Sequence, residues 1–462
     1  MIYLKLSIRN AKRSFINYLL YVAAMTVLLA IIEVSNCVAI IGGLAGFQVV
    51  SMPLLITAIQ IILVGYIGTF MLKQRAKEFA NYLLLGMGKK RLTRLFLCEI
   101  LWIGFCCYLA GTTIGFAVFG FWYFREPFHE RELWGFLYGK SMLYTWICFC
   151  FIEIVCSFRL KQRFGKLQIR ELMYEKSYSQ REKNIGNYKK WGFLFLFCFV
   201  CFIGCVCGIT FLPGTYLVYP VSVAAIPLCI SIFAFYRWAF GCLYAQRRMK
   251  SLKIYQKDRL YIMANVTSNF KTTSILNAVF CLCILFSESS FITGILMLQP
   301  ELQLFDRASQ QWMGTSQISI GIIFLVTYFS ILSLQQMMEV GQNARNYQIM
   351  RYMGKSNKEI EKLVNQQIAM KLISPMIMDV LLHLFCMPLL NGKMNSILPN
   401  SLNHILLRLS GGFGACIIFS YICYLGIAGV MGKRYLTPMS YPAANNTVMP
   451  RPFDKKSGQY FI

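Results

Sequence analysis

Ten apolar runs alternate with polar connections along the chain, centred near Leu29, Ile62, Ala110, Cys150, Val200, Leu228, Leu285, Leu325, Leu381 and Ile418. A helix needs about 20 apolar residues to cross a hydrocarbon core roughly 30 Å thick. The pattern therefore predicts an all-α integral membrane protein with ten transmembrane helices.

The pattern also repeats. Asn10-Ala-Lys-Arg-Ser-Phe15 precedes the first run and Asn265-Val-Thr-Ser-Asn-Phe270 the seventh, at an offset of 255. After the second run comes Ala76-Lys-Glu-Phe79, leading through Gly86 to Glu99. After the eighth comes Ala344-Arg-Asn-Tyr347, leading through Gly354 to Gln367, at an offset of 268. Tyr82 then meets Met350, Leu92 meets Ile360 and Leu95 meets Leu363. Two parallel halves, spans 1–4 and 7–10, are expected around a pseudo-twofold axis along the membrane normal, with spans 5 and 6 inserted between them. The expected divisions are 1–175 for the first half, 176–245 for the linker and inserted spans, 246–435 for the second half, and 436–462 for a tail.

Each half carries an amphipathic segment on its second connection. Phe79, Tyr82, Leu83 and Met87 fall on one face, opposite Lys77, Glu78 and Asn81. Gly86 can end that helix and Gly88 can start the next. In the other half Ser356-x-x-Glu359 reads as a capping box. Such segments suit either a flat position at the lipid interface or a docking surface for a cytosolic partner.

Charge orients the chain. Of 46 Lys and Arg, only Arg125, Arg131, Lys140, Arg307, Lys393 and Arg408 fall on the odd-numbered connections; the other 40 lie with the termini. By the positive-inside rule both termini are expected in the cytoplasm. The net charge of +27 is then mostly topological, with some attraction to anionic membrane lipid, and no nucleic-acid partner is expected. The first run lacks a small-residue cleavage site and is expected to stay as a span. Nearly all of the 18 Cys fall within spans at spacings that suit neither disulfides nor metal, so they read as small apolar packing residues. With only His129, His383 and His404 available, no metal site is expected.

Glu33, Glu153, Glu288, Asp379 and His383 fall inside apolar runs, and Glu99 near the inner edge of the third. An ionised Asp at mid-helix costs roughly 3 kcal/mol, so these groups should face protein or water. Asp379 and His383 are four apart and share a helix face, where they could pair. Helix-to-helix hydrogen bonding, a proton relay and substrate contact are the readings open to these groups. On the outside, the connection at 124–140 carries Trp134, Phe136 and Tyr138, which suit either membrane anchoring or contact with an amphiphilic ligand.

Arg75-x-x-Glu78-Phe-x-x-Tyr-Leu-Leu-Leu-Gly86-Met-Gly-Lys-Lys-Arg, running into Leu97-Cys-Glu99, resembles the signature of the FtsX-like permeases of ABC transporters. Tyr347-x-x-Met-Arg-Tyr-Met-Gly354-Lys-Ser-Asn-Lys-Glu-Ile360, with Gln366-Gln367 and then Pro375 and His383, resembles the bacitracin-export type, as does Asn10-x-Lys-Arg-x-Phe-x-x-Tyr18-x-x-Tyr21. That type carries a large extracellular domain between spans seven and eight. Here only 300–313 stands there, which argues against autonomous drug sensing.

The resemblance implies a permease subunit, not itself an enzyme, in a bacterial plasma membrane. It implies two copies of a cytosolic ATPase, which hold ATP and Mg. These would couple through Glu78, Phe79, Tyr82, Leu83, Gly86, Tyr347, Met350, Gly354, Ser356 and Glu359. The chain itself has no Gly-x-x-x-x-Gly-Lys-Ser/Thr run. The implied activity is displacement or export of an amphiphile, such as an antimicrobial peptide or a cell-wall lipid intermediate. The alternative is mechanotransmission to a membrane partner, for example a sensor kinase or an accessory subunit. An integral membrane enzyme is disfavoured, because the acids do not converge on a nucleophile.

Overall fold

A computed structural model describes residues 15–44, 51–123, 133–166, 188–211, 218–248, 261–263, 270–301, 307–397 and 402–436. Most of the Asn10 and Asn265 motifs, most of the 176–190 stretch, the 124–132 part of the outer connection and most of the tail lie outside these residues. The long helices are α1 (Phe15–Leu44), α2 (Ser51–Gln74), α3 (Ala76–Leu84), α4 (Lys89–Tyr123), α5 (Leu133–Lys166) and α6 (Tyr188–Phe211). They continue with α7 (Val218–Arg248), α8 (Phe270–Met297), α9 (Arg307–Tyr352), α10 (Asn357–Ile397) and α11 (Ile405–Leu436). No strand occurs among the described residues.

Eight of these helices, α4 to α11, are long and apolar enough to cross a membrane. The first two apolar runs lie on α1, whose described apolar stretch is Met25–Ile41, and on the 24-residue α2. The protein is thus a multi-pass, all-helical membrane protein. The helices carry apolar residues on nearly every side, as expected of segments that pack on one another and on lipid.

One hydrophobic core joins the α1–α5 group to the α8–α11 group. Leu28, Met71, Phe96 and Ile103 from the first group share it with Phe280, Tyr328, Leu332 and Ile368 from the second. The direct bridge between the groups runs between α1 and α9. The inserted pair α6–α7 packs mainly on α8 and α10, through Ile232, Phe235 and Tyr236 against Ala278, Cys281, Met378 and Leu382. It belongs structurally to the second group.

Small residues decide which helices come closest. At Gly111 on α4 a Cβ would lie 2.9 Å from the Thr26 carbonyl, and at Gly115 one would lie 2.6 Å from the Ala30 carbonyl, so α1 and α4 meet backbone to backbone. In the second group the close pair is α8 and α9. Gly294 and Gly314 face each other there, a Cβ at Gly294 falling 2.9 Å from the Gly314 carbonyl. Ser287 Oγ donates to the Gly321 carbonyl at 2.9 Å across the same contact. Cys37, Cys107, Cys156, Cys281 and Cys283 are buried between the helices.

Candidate functional site

The two amphipathic segments fold into matching elbows. In the first, the Gly86 N–H donates to the Leu83 carbonyl (3.1 Å) and the Met87 N–H to the Tyr82 carbonyl (3.0 Å). In the second, the Gly354 N–H donates to the Arg351 carbonyl (3.0 Å) and the Lys355 N–H to the Met350 carbonyl (3.1 Å). Both are Schellman turns, and both need a left-handed residue at their centre. Gly86 (φ 88) and Gly354 (φ 92) supply it, the two positive-φ glycines among the described residues. The next helix then starts, at Gly88 in the first elbow and at Ser356 in the second. The Ser356 N–H donates to Glu359 Oε2 (2.9 Å) and the Glu359 N–H to Ser356 Oγ (3.3 Å), which is the capping box.

The elbows are fastened to the helix that follows. Phe79 packs edge-on against Phe96 at 5.2 Å, and both are fully buried with Leu92 and Leu95. Tyr347, Met350, Ile360 and Leu363 do the same in the second elbow. Phe79, Tyr347 and Met350 were expected to meet a partner; the structure instead turns them towards their own chain. Tyr82 and Leu83 are half-buried, while Glu78, Gly86, Gly354, Ser356 and Glu359 are exposed.

What projects from each tip is an apolar pair. Leu84 and Leu85 are 60% and 83% exposed, and Tyr352 and Met353 are 87% and 72% exposed. At the offset of 268 these are the same two positions. The sequence signal was available: two apolar residues directly before the turn glycine in both copies. It was masked because helical spacing alone does not say which apolar face turns outward.

The polar fastening differs between the elbows. Arg75, at the break between α2 and α3, is buried and pairs with Glu99; its Nε also lies 2.7 Å from Glu78 Oε2, and its guanidinium sits 5.3 Å over the Phe79 ring. In the second elbow Tyr347 Oη donates to Gln367 Oε1 at 3.1 Å, Gln367 standing where the first copy has Glu99. Tyr261 lies beside Gln367, and burial raises its phenol pKa above the ordinary value.

The acids of the spans separate into distinct settings. Glu33 is fully buried and accepts from Ser141 Oγ at 2.5 Å, and one turn on Asn36 Nδ2 donates to Thr145 Oγ1 at 2.8 Å. Glu153 lies against Gly104, with neither carboxyl oxygen hydrogen-bonded among the described residues. Glu288 lies 3.2 Å from His383 Nδ1. The histidine's near acid is thus across the helix interface rather than the same-helix Asp379. The outer aromatics also divide. Trp134 is wedged between Phe116 (4.2 Å) and Tyr123 (5.6 Å) and against Gly120, closing the α4–α5 hairpin. Phe136 remains exposed, with Lys140 Nζ 4.3 Å from its ring centre, and Tyr138 leans on Phe116 at 4.7 Å. No group of three or more potential metal ligands occurs among the described residues.

Residues 50–160 match the family described as FtsX-like permease C-terminal. The matched region runs from α2 through the first elbow and α4 to most of α5. No curated protein matches the chain. An FtsX-like permease domain within many apolar helices fits the membrane subunit of an ABC transporter, a class that pairs with separate ATPase subunits.

Proposed function

We propose that this chain is the permease subunit of an ABC transporter of the bacterial plasma membrane, with ten spans and both termini in the cytoplasm. Two copies of a cytosolic ATPase, carrying ATP and Mg, dock on the two elbows. Closure of the ATPases moves the α1–α5 and α8–α11 groups against each other, and so exports or displaces an amphiphile such as an antimicrobial peptide or a cell-wall lipid intermediate. The observation that carries this reading is the duplicated tip: an exposed apolar pair on a glycine-centred turn, Leu84–Leu85 in one copy and Tyr352–Met353 in the other. Apolar side chains held at a rigid turn on the basic side suit a protein partner's hydrophobic pocket. The exposed Lys89, Lys90, Arg91, Lys358 and Glu359 form the polar rim.

The test is co-purification with the ATPase. Leu84→Asp/Leu85→Asp and Tyr352→Asp/Met353→Asp should each weaken capture, and the four-site variant should abolish it while membrane insertion is retained. One permease chain per two ATPases is expected by mass measurement of the intact complex. Full capture by the four-site variant would sink the docking assignment. A vesicle transport assay separates export from mechanotransmission.

A further inference from the structure

The two helix groups place an acid at the same point of their first span: Glu33 on α1 and Glu288 on α8, at the offset of 255. Their third spans, α4 and α10, are related by 268, and both helices are unbroken, so the register holds along them. In that register Gly111 and Gly115 stand where α10 carries Asp379 and His383. The structure makes the same meeting in both groups. A Cβ at Gly115 would fall 2.8 Å from Glu33 Cβ, and His383 Nδ1 lies 3.2 Å from Glu288 Oε1.

The consequences are opposite. Glycine lets α1 and α4 pack backbone to backbone. With aspartate and histidine at those positions, α8 and α10 pack more sparsely. The polar groups between them are not mutually satisfied. Asp379 is 8% exposed and its Oδ1 has no hydrogen-bond partner among the described residues, while Glu288 is 4% exposed. The His383 side chain is 30% exposed, giving the cluster an edge at the protein surface.

With both carboxylates ionised the three groups carry two negative charges, and a protonated imidazole cancels one. One further positive charge brings the site to neutrality, which a low-dielectric setting strongly favours. The described neighbours do not provide it. Tyr236 on α7, Cys281 on α8 and Tyr421 on α11 lie within electrostatic reach of Asp379, and none is a cation. The Tyr236 hydroxyl already donates to the Pro375 carbonyl at 2.6 Å, and Tyr421 shares a 2.6 Å hydrogen bond with Tyr328 on α9. On the packed α6 the described cations are Lys189 and Lys190, in its first turn, and Lys371 is eight residues back on α10, about 12 Å along the axis. A proton on a carboxyl oxygen that lacks a donor supplies that charge.

We propose that Glu288, Asp379 and His383 form a proton-binding site between α8 and α10, and that a proton gained or lost at Asp379 sets how closely these two helices pack. Protonated, the site is neutral, Asp379 becomes a donor and the helices close. Deprotonated, it carries net negative charge, draws water through the His383 edge and parts them. The site does not depend on an ATPase partner, so its test runs on the permease alone and can fail while the docking reading stands.

The permease in lipid nanodiscs is titrated while the infrared stretch of protonated carboxyl groups is followed, and hydrogen exchange of α8 and α10 is read by mass spectrometry. The parent should show a titrating carboxyl band that Asp379→Asn loses and Glu33→Gln keeps. Exchange in α8 and α10, corrected for the intrinsic pH effect, should rise with pH in the parent and stay low in Asp379→Asn. Glu288→Gln, also nearly isosteric, should likewise alter the band, and serves if Asp379→Asn fails to insert. The proposal is overturned by a titrating band unchanged in both variants, by pH-independent exchange in the parent, or by a band that sodium or tetramethylammonium removes at fixed pH. The last result would assign the site to a cation other than the proton.

Discussion

The two elbows share a tip but not a joint. Both end in a Schellman turn on glycine and both expose an apolar pair. Behind the tip, the first elbow is broken from its span at Arg75 and fastened by a buried Arg75–Glu99 ion pair. The second is the end of a single 46-residue helix, α9, fastened by a neutral Tyr347–Gln367 hydrogen bond. The welds follow the same division: α1 to α4 by Gly111 and Gly115 in the first group, α8 to α9 by Gly294 and Gly314 in the second. A push on the second tip therefore passes along one continuous helix into α8. A push on the first meets a joint held by charge. Duplicated sequence can thus preserve the exposed tip while changing which helices are joined to it.

The largest way to break this comparison is to strand a charge. Arg75→Met leaves Glu99 buried without its guanidinium and should cost about 3–5 kcal/mol in denaturant unfolding, most of which Arg75→Met/Glu99→Met should restore. The matching change in the second elbow, Tyr347→Phe, removes a neutral hydrogen bond to Gln367 and should cost about 1 kcal/mol. Equal losses at the two joints would erase the distinction between them.

The helix welds come next. Gly115→Ala pushes a methyl into the Ala30 carbonyl and should cost about 1–3 kcal/mol, as overpacking does. Gly392→Ala on α10, where a Cβ meets nothing within 4 Å, should be neutral or stabilising by up to about 1 kcal/mol. Smaller effects are expected at the turns. Gly86→Ala and Gly354→Ala each force a left-handed alanine and should lose roughly 1–2 kcal/mol, by the same amount in both elbows. Unequal losses would show that the tips are less alike than their hydrogen bonds. The smallest is the cap: Ser356→Ala should cost about 1 kcal/mol, while Gly88→Ser at the matching position should gain a few tenths, both read by thermal unfolding.

Much of the elbow is legible in the sequence. Gly86, Gly354 and the Ser356–Glu359 box are local signals, because turn geometry and capping involve residues a few positions apart. The inward turn of Phe79 and Tyr347 was not, since a helical face becomes inner or outer only when another helix covers it. The same holds for His383. Its same-helix neighbour Asp379 was visible from spacing, whereas Glu288 comes beside it only through the packing of α8 on α10. Trp134 sits in a slot made by Phe116, Gly120 and Tyr123 on another helix, so its wedge role appears only when α4 and α5 pair.

The helical membrane class, the repeat of the elbows, and their turns and caps can be read from the amino-acid order alone. These depend on apolar length, on a constant offset and on contacts close along the chain. The tertiary structure decided which apolar residues face out at the tips, which helix pairs are welded, and which acid meets His383. Those outcomes depend on how closely two distant backbones approach: at Gly115 the absence of a side chain lets α1 and α4 meet, and at His383 an imidazole stands between α10 and Glu288 on α8.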